Sequence, residues 1–148
     1  MNRVVSAFGA DHGAISRADY RRMRKHADLY YAEIRKRTSD IIAIARNTGF
    51  SEADITNVKN HIFHNKYDLG DDEPTHFDPH FDMAVSWQRL IEGKNIQAMD
   101  IILLRHELLE YELMSTQGLQ YRQAHDIAEA QYNYANYIRK LDRQEGIQ

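Results

Sequence analysis

Apolar residues recur along most of this chain every three or four positions, which is the period of α-helices that bury one face. The pattern begins near Arg17 and continues to a helix-stop signal at Asn47-Thr48-Gly49. A shorter helix follows Ser51, whose hydroxyl suits a helix start, and reaches about Phe63. No segment sustains the period-two alternation of a half-buried strand, so no strand is predicted.

Three further helices are bounded by clear turn signals. Asp78-Pro79 opens the first, because proline is favoured in a first helical turn, and Gly93 follows its end. The other two span about 97–116, stopped by Gly118, and about 121–141. Since only a short turn separates them, we expect these last two helices to form an antiparallel hairpin. The predicted fold class is all-α, a single compact domain of about five or six helices.

Length and composition narrow the chemistry. With 148 residues, the chain suits one domain, which we place at 17–148 after a tail or linker remnant at 1–16. There is no cysteine, so a metal would have to be held by His, Asp and Glu. No apolar run approaches the roughly 20 residues of a membrane span. We therefore expect a soluble chain, one that is also compatible with export as part of a longer protein.

Charge is unevenly distributed although the net charge is only -3. Residues 17–37 are strongly basic, and two interpretations stay open for them. Tyr20, Leu29, Tyr30 and Ile34 have helical spacing within this stretch, which favours an ordinary amphipathic helix with a solvated charged face. The alternative is a positive surface that binds nucleic acid.

Two stretches near the C-terminus share one spacing. His106-Glu107-Leu108-Leu109-Glu110 and His125-Asp126-Ile127-Ala128-Glu129 each place an acid four residues after a histidine, on the same helical face. The first stretch is surrounded by leucine and isoleucine, where ionisable groups without partners are costly. A divalent metal is one such partner, whereas the alternative is a helix surface with weak His–Glu pairs.

The residue types match a hydrolytic metal site. Two histidines and one glutamate that leave a position open for water are a common catalytic zinc set, and His106, Glu110 and His125 would supply it. Glu107 would then act as the general base. Asp126 is a further candidate ligand if two metals bind, and Asp126 or Glu129 could instead orient a ligand imidazole.

A second candidate site lies earlier in the chain. His61 is flanked by Ile62 and Phe63, which indicates partial burial. With Lys59 or Arg89 stabilising negative charge, His61 would serve as an acid–base catalyst of phosphodiester cleavage that needs no metal.

Several of these segments together resemble the C-terminal toxin modules of bacterial polymorphic toxins and related phage-encoded proteins. The resemblance covers about residues 30–134 and is carried by the following segments: Val58-Lys59-Asn60-His61-Ile62-Phe63, Phe77-Asp78-Pro79, Trp87-Gln88-Arg89-Leu90, Leu104-Arg105-His106-Glu107-Leu108-Leu109-Glu110 and Ala124-His125-Asp126. Within this group the chain is most similar to zincin-like metallopeptidase toxins. The resemblance implies an effector domain used in competition between bacteria, delivered into a target cell at the tip of a larger protein and neutralised by a cognate immunity protein.

Carried over to this chain, the resemblance implies that His106 is a zinc ligand and Glu107 the base. Glu110 stands where a zincin has its second histidine, and the His125-Asp126 pair is similar to that of HD-type phosphohydrolases. Three functions therefore stay open: a metal-dependent hydrolase of peptides or phosphoesters, an RNase or DNase toxin that uses His61, and a non-enzymatic phage structural or adaptor domain.

Overall fold

The computed structural model describes residues 17–138, which include six α-helices, one π-helical turn and a further helical segment from residue 134. The helices are α1 (Arg17–Lys36), α2 (Asp40–Thr48), α3 (Glu52–Lys59), α4 (Phe81–Glu92), α5 (Ala98–Gln117) and α6 (Tyr121–Gln131), and the π turn (Asn60–His64) continues α3. Within 17–138 no strand forms, and the only β pairing is a bridge between Tyr67 and Thr75. The predicted all-α domain is confirmed, whereas the expected tail at 1–16 lies outside the described residues.

Local sequence signals account for most of the helix ends. The Ser51 hydroxyl accepts a hydrogen bond from the Asp54 amide at 3.0 Å, as expected for the residue before a helix. Gly93 and Gly118 follow α4 and α5 with φ of 71° and 67°, in the left-handed region that side chains other than glycine rarely adopt. These residues end the helices where the sequence predicts.

The prediction of a single helix from Arg17 to Thr48 is wrong, because residues 37–39 are not helical and separate α1 from α2. Asp40, the first residue of α2, is buried and binds side chains from two other helices. Its carboxylate accepts hydrogen bonds from Lys59 Nζ at 2.9 Å and from Trp87 Nε1 at 3.2 Å. Lys59 Nζ also donates to the Arg37 carbonyl at 2.7 Å, so one ammonium group fixes both the break and the start of α2.

Two further helix boundaries differ from the prediction. Helix α4 begins at Phe81 rather than at Pro79, with His80 before it in an extended conformation. The last helix does not run continuously to Leu141: α6 ends at Gln131, Tyr132 is non-helical, and a new helical segment begins at residue 134. The second difference matters for the site, since the Tyr132 carbonyl contacts His106.

Helix α5 lies at the centre of the domain, in contact with α3, the π turn, α4 and α6. It buries residues around most of its circumference: Met99, Asp100, Leu103, Leu104, His106, Glu107, Glu110 and Leu113. An aromatic cluster that includes Tyr31, Phe63 and Trp87 fills the neighbouring core. Helices α5 and α6 are joined by three residues, and their antiparallel direction stays a prediction. None of the described helices is both long and apolar enough to cross a membrane.

Candidate metal centre

Five ionisable side chains from three elements meet in the interior. They are His61 of the π turn, His106, Glu107 and Glu110 of α5, and His125 of α6. The first four are fully buried, and His125 is 7% exposed. Such a concentration of ionisable groups in a protein interior is stable only when the groups compensate one another or share a bound ion.

Glu110 lies at the centre of the cluster. Its Oε1 is 2.7 Å from His61 Nε2, and its Oε2 is 3.1 Å from both His106 Nε2 and His125 Nδ1. Burial alone would raise the pKa of this carboxyl, but the hydrogen bonds from the three imidazoles outweigh that effect and hold its pKa well below the usual range. Glu110 is therefore ionised and accepts hydrogen bonds on both oxygens.

His106 is oriented by a backbone carbonyl on its outer side. Its Nδ1 donates to the Tyr132 carbonyl oxygen at 2.9 Å, and that oxygen can only accept. Since Nε2 faces the ionised Glu110, both ring nitrogens carry protons in the metal-free protein. Burial lowers the pKa of His106, but the hydrogen bond to Glu110 and the nearby charge of Glu107 raise it to about 9.

The other two imidazoles repeat this arrangement. His125 directs Nδ1 at Glu110, and its Nε2 lies 3.3 Å from Glu129 Oε2. His61 directs Nε2 at Glu110, and its Nδ1 lies 2.7 Å from the Tyr67 hydroxyl. Each ring thus has one nitrogen directed at the shared carboxylate and one that faces an outer group, which is within hydrogen-bonding geometry for His61 and His106 and is a nearby carboxylate for His125. Outer partners of this kind are typical of metal-binding histidines.

Glu107 is the exception in the cluster because it is buried without a hydrogen bond to either oxygen. Neither of its oxygens has a hydrogen-bond partner among the described residues, and its closest basic group is His61 Nε2, 3.4 Å from Oε2. Burial raises the pKa of this carboxyl well above its ordinary value, and the charge of Glu110 raises it further. Such a carboxyl group requires either a proton or a cation.

The donor atoms form two groups that are compact enough to hold a metal ion. One comprises His106, Glu110 and His125, and the other comprises His61, Glu107 and Glu110. Within each group the ligand atoms lie within 4.8 Å of one another. Imidazole nitrogen and carboxylate oxygen are ligands that zinc and other divalent metals accept, so the chemistry of the cluster suits a metal.

The structure brings together most of the residues singled out from the sequence. His106, Glu107, Glu110 and His125 converge, whereas Asp126 is exposed and belongs to neither group. His61, which the sequence assigns to a separate site, joins the same cluster.

The two cations expected beside His61 are engaged elsewhere in the domain. Lys59 pairs with Asp40, and Arg89 binds both oxygens of Asp100 at 2.6 and 2.9 Å. Sequence reasoning missed the contributions of Tyr67 and of the Tyr132 carbonyl. Nothing in the sequence marked either group, because each depends on a non-helical segment reaching the cluster.

The chain shows no significant match to protein-family models, to curated proteins or to solved structures. Functional inference therefore depends on the geometry of the cluster.

Proposed function

We propose that this protein is a metal-dependent hydrolase whose divalent ion, zinc in the first instance, is held by His106, Glu110 and His125. The observation that carries the proposal is the convergence of imidazole nitrogens on one buried, ionised carboxylate, with each ring oriented from its outer side. Two histidines and a glutamate that leave one position open are a ligand set of catalytic zinc.

A bound divalent ion would contribute to the reaction by lowering the pKa of a water molecule towards neutrality. Glu107 supplies the base. It precedes Glu110 by one helical turn, has no hydrogen-bond partner and has a raised pKa, which brings its proton affinity closer to that required at neutral pH. In this scheme Glu107 accepts the proton of the attacking water and then transfers it to the leaving group.

Substrate would approach from the side of α6. The side chains of His125 and its neighbour Glu129 are 9% and 25% exposed, whereas the other four members of the cluster are fully buried. The Glu129 carboxylate lies 3.3 Å from His125 Nε2 and favours the ring orientation in which Nδ1 is directed inward. Removing the carboxylate of Glu129 would therefore change both the orientation of His125 and the polarity of the entrance.

Two classes of bond are candidates for hydrolysis, peptide bonds and phosphoester bonds. Zincins align an extended peptide along a strand, and no strand occurs within residues 17–138. The HD-type comparison depends on Asp126, which is exposed. The resemblance to toxin modules supports an effector role with an immunity partner, and toxicity on expression is one suitable readout.

The proposal is tested by measuring metal content, growth inhibition, and hydrolysis of peptide and phosphoester panels for the wild type and for Glu107→Gln. We expect co-purified metal and activity in the wild type, and a folded variant that still binds metal but loses at least a hundredfold in rate, the lower range for a general base. Glu112→Gln, on the exposed face of α5, is the matched control. A metal-free wild type with undiminished toxicity would refute the scheme.

A further inference from the structure

We infer that the cluster holds a second divalent cation, bound by His61, Glu107 and Glu110, so that Glu110 bridges two ions. The inference rests on the proposed function, because Glu110 belongs to both ligand groups. It adds a second ion, a new role for His61 and a ligand role for Oε2 of Glu107, which leaves Oε1 to act as the base.

The two oxygens of Glu110 face different donors. Oε1 is directed to His61 alone, while Oε2 is directed to His106 and His125. A carboxylate that served a single ion would need only one of these directions. The division of donors between its oxygens is the arrangement that a bridging carboxylate requires, and helical enzymes with two metals commonly use shared carboxylates in this way.

Glu107 provides an independent indication. It is fully buried, neither oxygen has a hydrogen-bond partner among the described residues, and Oε2 lies 3.4 Å from His61 Nε2. A buried carboxyl group without partners is strongly unfavourable. A cation among Glu107, His61 and Glu110 Oε1 would give Glu107 the direct contact that the described protein groups do not provide, since His61 Nε2 approaches only to 3.4 Å.

His61 is positioned for this role by the local backbone. It lies in the π turn, a wide helical turn that occurs frequently at functional sites. The Tyr67 hydroxyl is 2.7 Å from His61 Nδ1 and accepts a hydrogen bond from Asn65 Nδ2 at 3.0 Å. This chain of contacts fixes the ring and directs Nε2 at Glu110.

The balance of charge is compatible with two ions. Two divalent cations bring four positive charges, and Glu107, Glu110 and Glu129 supply three negative ones when the imidazoles are neutral ligands. With a single ion, Glu110 and Glu129 would balance the charge of that ion and Glu107 would have to carry a proton in the interior. A second ion would instead let Glu107 act as an ionised ligand.

The test is the stoichiometry of metal binding. The 148-residue chain is stripped with a chelator, titrated with Zn²⁺ in a calorimeter and, separately, loaded with Mn²⁺ for electron paramagnetic resonance. We expect two equivalents of Zn²⁺ and an exchange-coupled manganese spectrum for the wild type. His61→Gln should bind one equivalent and give the spectrum of an isolated ion, while His64→Gln, an exposed histidine of the same turn, should retain two.

If the His61→Gln protein does not fold, Tyr67→Phe provides a second test, because this variant retains all the proposed ligands. Because it removes only the hydroxyl that orients His61, we expect the second equivalent to bind roughly 10- to 100-fold more weakly, with the first unchanged. If the wild type binds one equivalent of metal and shows no exchange coupling, the inference of a second ion is wrong, while the proposed function is unaffected. Two equivalents in His61→Gln, or undiminished affinity in Tyr67→Phe, also overturn it, whereas no binding at all overturns both proposals.

Discussion

The backbone carbonyl of Tyr132 accepts a hydrogen bond from Nδ1 of His106 at 2.9 Å. Tyr132 has φ and ψ of -132° and 89°, so α6 has ended and its carbonyl points away from the helix axis. The interruption of the last helix thus orients a histidine on the neighbouring helix. A continuous helix would use that carbonyl for its own hydrogen bonding and would leave His106 Nδ1 without this acceptor.

Asn133→Ala is expected to weaken this interruption. The Asn133 side chain accepts a hydrogen bond from the Asn136 amide at 2.8 Å and so starts the segment that follows Tyr132. Loss of such a cap lowers the free energy of unfolding by about 1 kcal/mol. Chemical unfolding followed by circular dichroism measures the change. Asn136→Ala is the control, since its exposed side chain plays no part in this cap, and an equal loss in both variants would contradict the assignment.

The stability of the metal-free protein should fall as pH rises. His106 has a pKa of about 9 when folded and an ordinary value of 6.5 when unfolded, so the folded state binds the extra proton between these values. The stabilisation is complete below about pH 6.5 and is lost as pH passes 9. The charged and titratable groups facing His106 are Glu107 and Glu110 on its own helix and His125 on α6, with Glu129 behind His125.

Urea unfolding in the presence of chelator at pH 6.5, 8 and 9.5 measures this dependence. Metal binding should show the opposite trend, because Zn²⁺ must displace the Nε2 proton and its apparent affinity therefore rises with pH. His106→Gln should flatten both dependences. Stability that is constant across this range in the wild type would show that His106 is neutral in the folded protein.

Lys59→Met should destabilise the fold without touching the cluster directly. Lys59 is buried and its ammonium pairs with Asp40, so removing it leaves a buried carboxylate without its counter-charge. A loss of about 3–5 kcal/mol in the free energy of unfolding is expected. Lys36→Met, at an exposed position of α1, should change stability little. A Lys59→Met protein of wild-type stability that lost nucleolytic activity would instead support the catalytic role considered for Lys59 from the sequence.

Metal removal should lower the thermal stability of the protein. An ion that binds only the folded state contributes about 2.7 kcal/mol when its free concentration is a hundred times the dissociation constant. Scanning fluorimetry with and without chelator should therefore show a lower Tm without metal, restored by added Zn²⁺. Glu110→Gln should respond to neither treatment, and an equal response of this variant would place the stabilising ion elsewhere.

The part of the cluster on α5 and α6 could be predicted because it depends on local spacing. His106 and Glu110 share a face of a helix with apolar flanks, and a short turn brings the next helix near. The same geometry shows why Asp126 does not join: adjacent helical positions differ by about 100° in direction, so a buried His125 places Asp126 outside. Glu129, four residues after His125, stays on its face.

The remaining features depend on contacts distant in sequence. His61 Nε2 meets Glu110 Oε1 across 49 positions, and no periodicity in either segment specifies that distance. The break before Asp40 likewise follows from a buried lysine and tryptophan elsewhere in the chain. A local pattern of apolar residues predicts helices but does not show where a buried polar group interrupts one.

The π turn at Asn60–His64 has a consequence for how this domain tolerates changes in length. Because its hydrogen bonds span five residues rather than the four of an α-helix, deleting a single residue there would convert it to ordinary helical geometry and turn the following side chains by about 100°. Natural variants that lack one residue in this segment should thus have lost His61 from the interior while keeping the rest of the domain. The length of this one turn would distinguish chains with a complete set of three inward-facing imidazoles from chains with only two.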